Sequence, residues 1–159
     1  MREKNDSTLQ TRYRLMWNET VYEPGEVKVV AYDAAGNPVA EKSVRTAGKP
    51  HHLVATPNRA EATANGEDLI YFTIQVADKD GNIVPNDNRR VKFNVKGDGK
   101  FEATANGDPT CVLPFQNPEM DLFSGAATAI VRSGENPGAM VFTASAKGLK
   151  PAVVTIPVK

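Results

Sequence analysis

Apolar and polar residues alternate along most of this chain and almost nowhere recur at helical spacing. Ile70, Phe72, Ile74 and Val76 fall on one side of an extended segment, with Tyr71, Thr73 and Gln75 on the other. That period of two is the mark of a half-buried β-strand. Val91, Phe93 and Val95 repeat it, with Lys92, Asn94 and Lys96 outward. Ala127 to Arg132 reads as a further strand, as do Met140, Phe142, Ala144 and Ala146, and then Val153 to Val158. Pro157 has no N–H to donate, which suits an edge or a strand end. Nearer the N-terminus, Tyr13-Arg14-Leu15-Met16-Trp17, Val27 to Tyr32 and Val39 to Thr46 also read as strands.

Turn signals separate these runs: Gly97-Asp98-Gly99, Asn106-Gly107-Asp108-Pro109, Ser133 to Gly138, and Lys147-Gly148-Leu149. Tyr22-Glu23-Pro24-Gly25 has the Pro-Gly placement of a type II turn. One turn phrase is written twice. Asp33-Ala34-Ala35-Gly36-Asn37-Pro38-Val39 recurs as Asp78-Lys79-Asp80-Gly81-Asn82-Ile83-Val84, each copy following an apolar strand and preceding an extended segment. Strand, Gly-Asn tip and strand predict a β-hairpin at both places. The reading is an all-β chain of tandem immunoglobulin-like β-sandwiches. Residues 49–159 hold about seven strands, the rhythm of a complete sandwich. Residues 1–48 hold only three or four, an incomplete sandwich whose strands can barely stand alone. Its unpaired edge is expected either to disorder or to pair with a second copy of the chain, giving a homo-oligomer.

Lys plus Arg and Asp plus Glu both number 19, so the net charge is zero. Nucleic-acid partners call for a basic excess, so they are not expected. No apolar stretch reaches the ~18 residues of a membrane span. Met1 to Asp6 is polar and offers no apolar core of a signal peptide. The single cysteine, Cys111, excludes an intramolecular disulfide. The sheets must therefore be held by apolar burial.

Candidate chemistry is sparse. Cys111 would need a base to act as a nucleophile, and the only histidines, His51 and His52, lie in another segment. That adjacent pair lacks the further ligands of a zinc site, and on a strand its rings would take opposite faces. Asp78-x-Asp80-Gly81-Asn82 resembles a calcium loop but has the glycine directly after the second aspartate, two places early, and Arg89 where the terminal glutamate belongs, so turn chemistry accounts for it. Glu61, Glu67, Asp68, Glu102, Asp108, Glu119 and Asp121 form no acid/base frame. No catalytic residue, cofactor-binding residue, metal ligand or cofactor is expected. Trp17, with Tyr13 and Tyr22, is either a sugar-stacking platform or part of the first core. The Pro-punctuated segment 106–124 carries Phe115 and Phe123, which either anchor it on the sandwich or serve a binding loop. Trp17 and Phe115 are the two candidate carbohydrate contacts.

Trp17, Tyr22-x-Pro24-Gly25-x-Val27-x-x-Val30-Ala31-Tyr32, Gly36 and Thr46-Ala47-Gly48-x-Pro50 together resemble the β-sandwich domain after the catalytic barrel of glycoside hydrolase family 2 enzymes, notably bacterial β-galactosidases. Asn65-Gly66-Glu67-Asp68-Leu69, Val76-x-Asp78-x-Asp80-Gly81-Asn82-x-Val84-Pro85, Val91-x-Phe93-x-Val95-x-Gly97-x-Gly99 and Phe123-x-Gly125-x-Ala127 resemble the domain that often follows, and also invasin-type bacterial immunoglobulin-like repeats. The resemblance implies a non-catalytic C-terminal accessory region of a larger, periplasmic or secreted β-galactosidase-like enzyme. Its expected partner is the catalytic barrel of that enzyme. Such barrels need ~250 residues and act through two carboxyl groups, and no matching segment exists here. Two other roles are a carbohydrate-binding module and a cell-surface adhesion repeat.

Overall fold

A computed structural model describes residues 3–159. The chain divides into two compact units, the first ending at Thr46 and the second running Ala47–Lys159. No helix among the described residues is long and apolar enough to cross a membrane.

The first unit opens with a short helix, α1 (Leu9–Tyr13). Thr8 caps it: the Thr11 N–H donates to Thr8 Oγ1 at 3.1 Å and the Thr8 N–H to Thr11 Oγ1 at 3.2 Å. This reciprocal capping box satisfies N–H groups at the helix start. It pre-empts the strand expected over Tyr13 to Trp17: Tyr13 closes the helix, and residues 14–17 have no regular structure. The only strands of this unit among the described residues are β1 (Glu26–Tyr32) and β2 (Pro38–Arg45), an antiparallel hairpin, rather than three or four. Thr46 fastens its open end, bonding the Gly25 carbonyl through its N–H at 2.8 Å. Its Oγ1 accepts from the Gly25 N–H at 3.0 Å and lies 3.1 Å from the Tyr22 hydroxyl. Val27, Val29 and Val44 are exposed on one face of the hairpin, and Tyr32 and Val39 are exposed on the other.

The second unit is a sandwich of two four-stranded antiparallel sheets. One sheet is ordered β3 (His52–Pro57), β4 (Leu69–Ala77), β8 (Ala126–Ser133), β6 (Gly99–Ala105). The other is ordered β10 (Ala152–Val158), β9 (Gly138–Ala146), β5 (Arg90–Gly97), β7 (Glu119–Asp121). The alternating residues of β4, β5, β8 and β9 face inward as their pattern requires: Ile70, Phe72, Ile74, Val76, Val91, Phe93, Ala129, Val131, Met140 and Phe142 are all buried. Where a disulfide would join the sheets of many such domains, three phenyl rings meet. Phe72 of β4 stacks on Phe142 of β9 at 4.1 Å and 12°, and Phe93 of β5 lies 6.0 Å from Phe142.

Both ends of this unit stitch the two sheets together. The Leu53 N–H donates to the Lys150 carbonyl at 3.0 Å, and the Ala62 N–H to the Pro157 carbonyl at 3.0 Å. The turn between β5 and β6 carries the chain from one sheet to the other. Gly97 there has φ +82°, and a Cβ would lie 2.1 Å from the Ala139 carbonyl oxygen, so only glycine fits.

The repeated turn phrase folds alike in both units and leads to different places. In each copy the aspartate N–H donates to the asparagine carbonyl at 2.9 Å, Asp33 to Asn37 and Asp78 to Asn82. Each aspartate Oδ1 accepts two backbone N–H bonds, from Ala35 and Asn37 or from Asp80 and Asn82, all at 2.8–2.9 Å. Each Oδ2 accepts from the asparagine side-chain amide, at 3.1 and 3.0 Å. The first copy closes the β1–β2 hairpin. The second is not a hairpin. Only the Ala77–Ile83 bridge and one bond from the Val84 N–H to Val76 follow before the chain crosses to β5 in the opposite sheet. Pro85 can donate no further ladder bond, and Gly125 packs so tightly there that a Cβ would sit 2.3 Å from the Val84 carbonyl oxygen.

Candidate functional site

Asp78 is a buried carboxylate surrounded by hydrogen-bond donors. It is 2% exposed, and besides its turn bonds its Oδ2 accepts the Gly48 backbone N–H at 2.7 Å. That bond, followed by the Asn82 side-chain amide, holds its carboxyl far below the usual carboxylate range. Four donors around two oxygens leave no lone pair aimed at a substrate, and an acid this strong is a poor base. Its work is to tie the lead-in at Gly48 to the end of β4. Asp33 makes the same turn bonds while exposed; Asn37, through backbone and then side chain, lowers its carboxyl.

Seven further carboxylates are similarly engaged. Arg132 grips Glu102 through two bonds of 3.0 and 2.7 Å, and Arg90 grips Asp121 through two of 2.8 Å. Lys92 pairs with Glu119 at 2.8 Å, Arg59 with Asp68 at 2.6 Å, and Lys159 with Glu61 at 2.6 Å. Arg89 bridges Asp87 and the Lys147 carbonyl, at 2.6 and 2.9 Å. Asp108 accepts both the N–H and the hydroxyl of Thr110, at 2.8 and 2.7 Å. These contacts lie across strands or inside turns, where they fix register.

The two candidate sugar contacts lie in different units. Trp17 is 48% exposed between α1 and β1, with Tyr13 and Tyr22 more exposed still. None of the three rings is buried within this unit. Two open surface depressions near α1 are lined by Gln10, Arg14 and Met16, and neither includes Trp17.

Phe115 lies in the loop between β6 and β7. Cys111 and Leu113 pack toward the core while Val112 and Phe115 point away, 94% and 63% exposed. Phe123, the other aromatic of this segment, is also exposed. Backbone bonds fix the loop instead: Thr104 N–H to the Phe115 carbonyl at 2.7 Å, Phe93 N–H to Pro118 at 2.8 Å, and the Asn106 side-chain amide to Asp121 at 2.9 Å. Sequence alternation from Cys111 to Leu113 was the overlooked signal. Cys111 itself is half-buried with its Sγ 3.8 Å from Met120 Sδ, a packing contact. His51 and His52 do not take opposite faces. His51 precedes β3, so strand alternation does not govern it, and the rings meet edge to face with centroids 5.3 Å apart.

Residues 53–155 match the family described as glycoside hydrolase family 2 C-terminal domain 5, and residues 2–40 match a domain of unknown function, DUF4982. The β-galactosidase BoGH2A of Bacteroides ovatus is 38% identical over 135 residues, which cover 85% of this chain and 16% of that protein. A glycosyl hydrolase family 2 member from Bacteroides cellulosilyticus superposes with a TM-score of 0.79 at 30% identity, over 88% of this chain and 18% of that one. The D00–D0 domain of intimin, at 19% identity and a TM-score of 0.50 over 86% of this chain and 66% of that one, shares the fold. The chain thus spans about one sixth of the curated relative's length.

Proposed function

The chain belongs to the glycoside hydrolase family 2 C-terminal domain 5 family, and from that premise we propose that it is a non-catalytic accessory region of a β-galactosidase-type enzyme. Its role is to brace the catalytic barrel or the packing of subunits. The observation that carries this reading is the family match over residues 53–155, which spans β4 to β9 entire. The engagement of the acidic side chains agrees with it. Asp78, Glu102, Asp121, Glu119 and Asp68 each hold two parts of the sandwich in register. A hydrolase of this class needs instead two carboxyl groups facing one another across a substrate.

The test compares a full-length enzyme containing this chain with the same enzyme ending before it. Bracing predicts a lower melting temperature or altered assembly, with kcat on a nitrophenyl β-galactoside retained by the fraction that stays assembled. A fall in kcat of about 10³-fold in intact assemblies, the size of loss seen when a transition-state contact is removed, would sink the proposal.

A second reading is carbohydrate binding through the β6–β7 loop, favoured by the exposure of Val112 and Phe115 on a loop whose backbone is fixed. Flat aromatic rings on rigid supports stack on sugar faces. A glycan array on which wild-type chain and Phe115→Ala are equally silent removes it.

A further inference from the structure

One short phrase occurs twice in the second unit, as Glu61-Ala62-Thr63-Ala64-Asn65-Gly66-Glu67 and as Glu102-Ala103-Thr104-Ala105-Asn106-Gly107-Asp108. Each copy holds an Asn-Gly pair, and the chain has no other. In such a pair the glycine nitrogen can attack the asparagine side-chain carbonyl, because no Cβ hinders its approach. The flanking residues match, so the two pairs share one intrinsic reactivity and the fold sets any difference. The fold treats them differently. The Gly66 N–H donates across to the Gly134 carbonyl at 3.1 Å. Asn65 Oδ1 accepts the Glu67 and Asp68 N–H groups at 2.9 and 2.8 Å, with the Ser133 hydroxyl at 3.4 Å. Backbone and side chain are both pinned there. Gly107 is exposed, its N–H has no acceptor among the described residues, and a Cβ built on it would meet nothing within 4 Å. Asn106 makes two bonds: its Oδ1 accepts the Asp108 N–H at 3.0 Å, and its side-chain amide donates to the Asp121 carbonyl at 2.9 Å.

We propose that Asn106-Gly107 is a site of spontaneous deamidation and that the fold shields Asn65-Gly66 from the same reaction. Hydroxide takes the Gly107 amide proton, and the nitrogen bonds to Asn106 Cγ. The Cγ–Nδ2 bond then breaks, and Nδ2 takes a proton from water and leaves as ammonia, which returns the hydroxide. Water opens the resulting cyclic imide at either carbonyl, giving aspartate or isoaspartate. Both asparagine carbonyls are polarised by N–H donors, so the electrophile does not separate the two pairs. The nucleophile does. Gly66 must give up its bond to Gly134 before it can attack, whereas Gly107 faces solvent. The bond from Asn106 to Asp121 breaks only as ammonia leaves, after the new bond has formed. That bond ties the start of the β6–β7 loop to the end of β7. Either product lacks the donor, so the Asp121 carbonyl loses its partner and the loop loosens.

The experiment holds the whole chain in mildly alkaline buffer and follows each asparagine by peptide mapping and mass spectrometry. A parallel sample in concentrated urea supplies the intrinsic rates. The expected result is similar conversion of the two pairs in urea. In the folded chain Asn106 converts faster than Asn65, by several-fold to about tenfold, the weight of one hydrogen bond. That order runs against exposure, since Asn65 is exposed and Asn106 half-buried. Asn106→Gln, whose extra methylene disfavours ring closure, stops the reaction at that position. The Thr104 N–H, which donates to the Phe115 carbonyl of the same loop, exchanges faster in the converted chain and in Asn106→Asp. Equal rates at the two pairs in the folded chain, faster conversion of Asn65, or a folded chain in which neither reacts while both react in urea would each overturn the site. Unchanged exchange at Thr104 would overturn the loosening of the loop. The two pairs of the unmodified chain decide the matter even if a variant misfolds.

Discussion

Replacing Phe142 by alanine removes a fully buried ring from β9, an interior strand. The ring stacks on Phe72 of the opposite sheet at 4.1 Å and has Phe93 at 6.0 Å on its own sheet. Phe72 and Phe93 thus lose a shared partner, and no disulfide holds the gap closed. Deleting a buried phenylalanine costs about 3–5 kcal/mol. Small domains stand only about 5–15 kcal/mol above unfolding, so Phe142→Ala leaves the sandwich marginal. For a domain of this size that loss lowers the melting temperature by roughly 10–20 °C. The milder Phe142→Leu and Phe72→Leu, combined in a double-mutant cycle, should show coupling of about 0.5–1.5 kcal/mol for the stacked pair. Calorimetric and urea unfolding of the whole chain supply the numbers. Tyr71→Ala, one residue along β4 and pointing outward, is the control and should stay within about 0.5 kcal/mol. A loss under about 1.5 kcal/mol for Phe142→Ala, strict additivity of the leucine pair, or an equal loss for Tyr71→Ala would refute the claim that this stack joins the sheets.

Gly97→Ala should destabilise by more than about 1 kcal/mol, because the new methyl meets the Ala139 carbonyl and φ is +82°; Gly81→Ala, with an equally positive φ but open space, should cost less. The Asp78 carboxyl is depressed in the folded chain, so its contribution is present above its unfolded value near 3.9 and fades as pH falls through the folded value. Urea midpoints from pH 7 to pH 2 should therefore decline less steeply in Asp78→Asn than in wild type, and parallel acid limbs would contradict this. Phe115→Ala should leave stability within about 0.5 kcal/mol, since the ring is exposed and the loop hangs on Cys111, Leu113 and backbone bonds; a larger loss in a urea melt would restore Phe115 as an anchor.

Strands that bury a face of β-branched and aromatic residues announced themselves in the sequence. β4 and β5 set four and three large apolar side chains inward at strict alternation, and β9 sets Met140, Phe142 and the small Ala144 inward. β3 and β6 did not. β3 buries only Leu53 fully, and a bulge between Phe101 and Ala103 breaks the period of β6. The duplicated turn was legible as a turn, because Asp, Gly and Asn build it locally. Where the turn led was not legible. Hairpin or sheet crossing depends on Pro85 and on the close approach of Gly125, a contact between residues far apart in sequence. The same limit hid the histidine pair, whose rings meet because β3 begins between them, and the helix at Leu9–Tyr13, which rests on the Thr8 and Thr11 side chains.

The central claim is that this chain supports a glycosidase without performing hydrolysis. The most direct measurement incubates the purified chain, at concentrations far above those used for an enzyme, with a nitrophenyl β-galactoside. The account predicts release of nitrophenol at the buffer rate, unchanged by added chain. Saturable release that scales with the chain, survives repurification and disappears when Glu102 or Asp121 is replaced would contradict it.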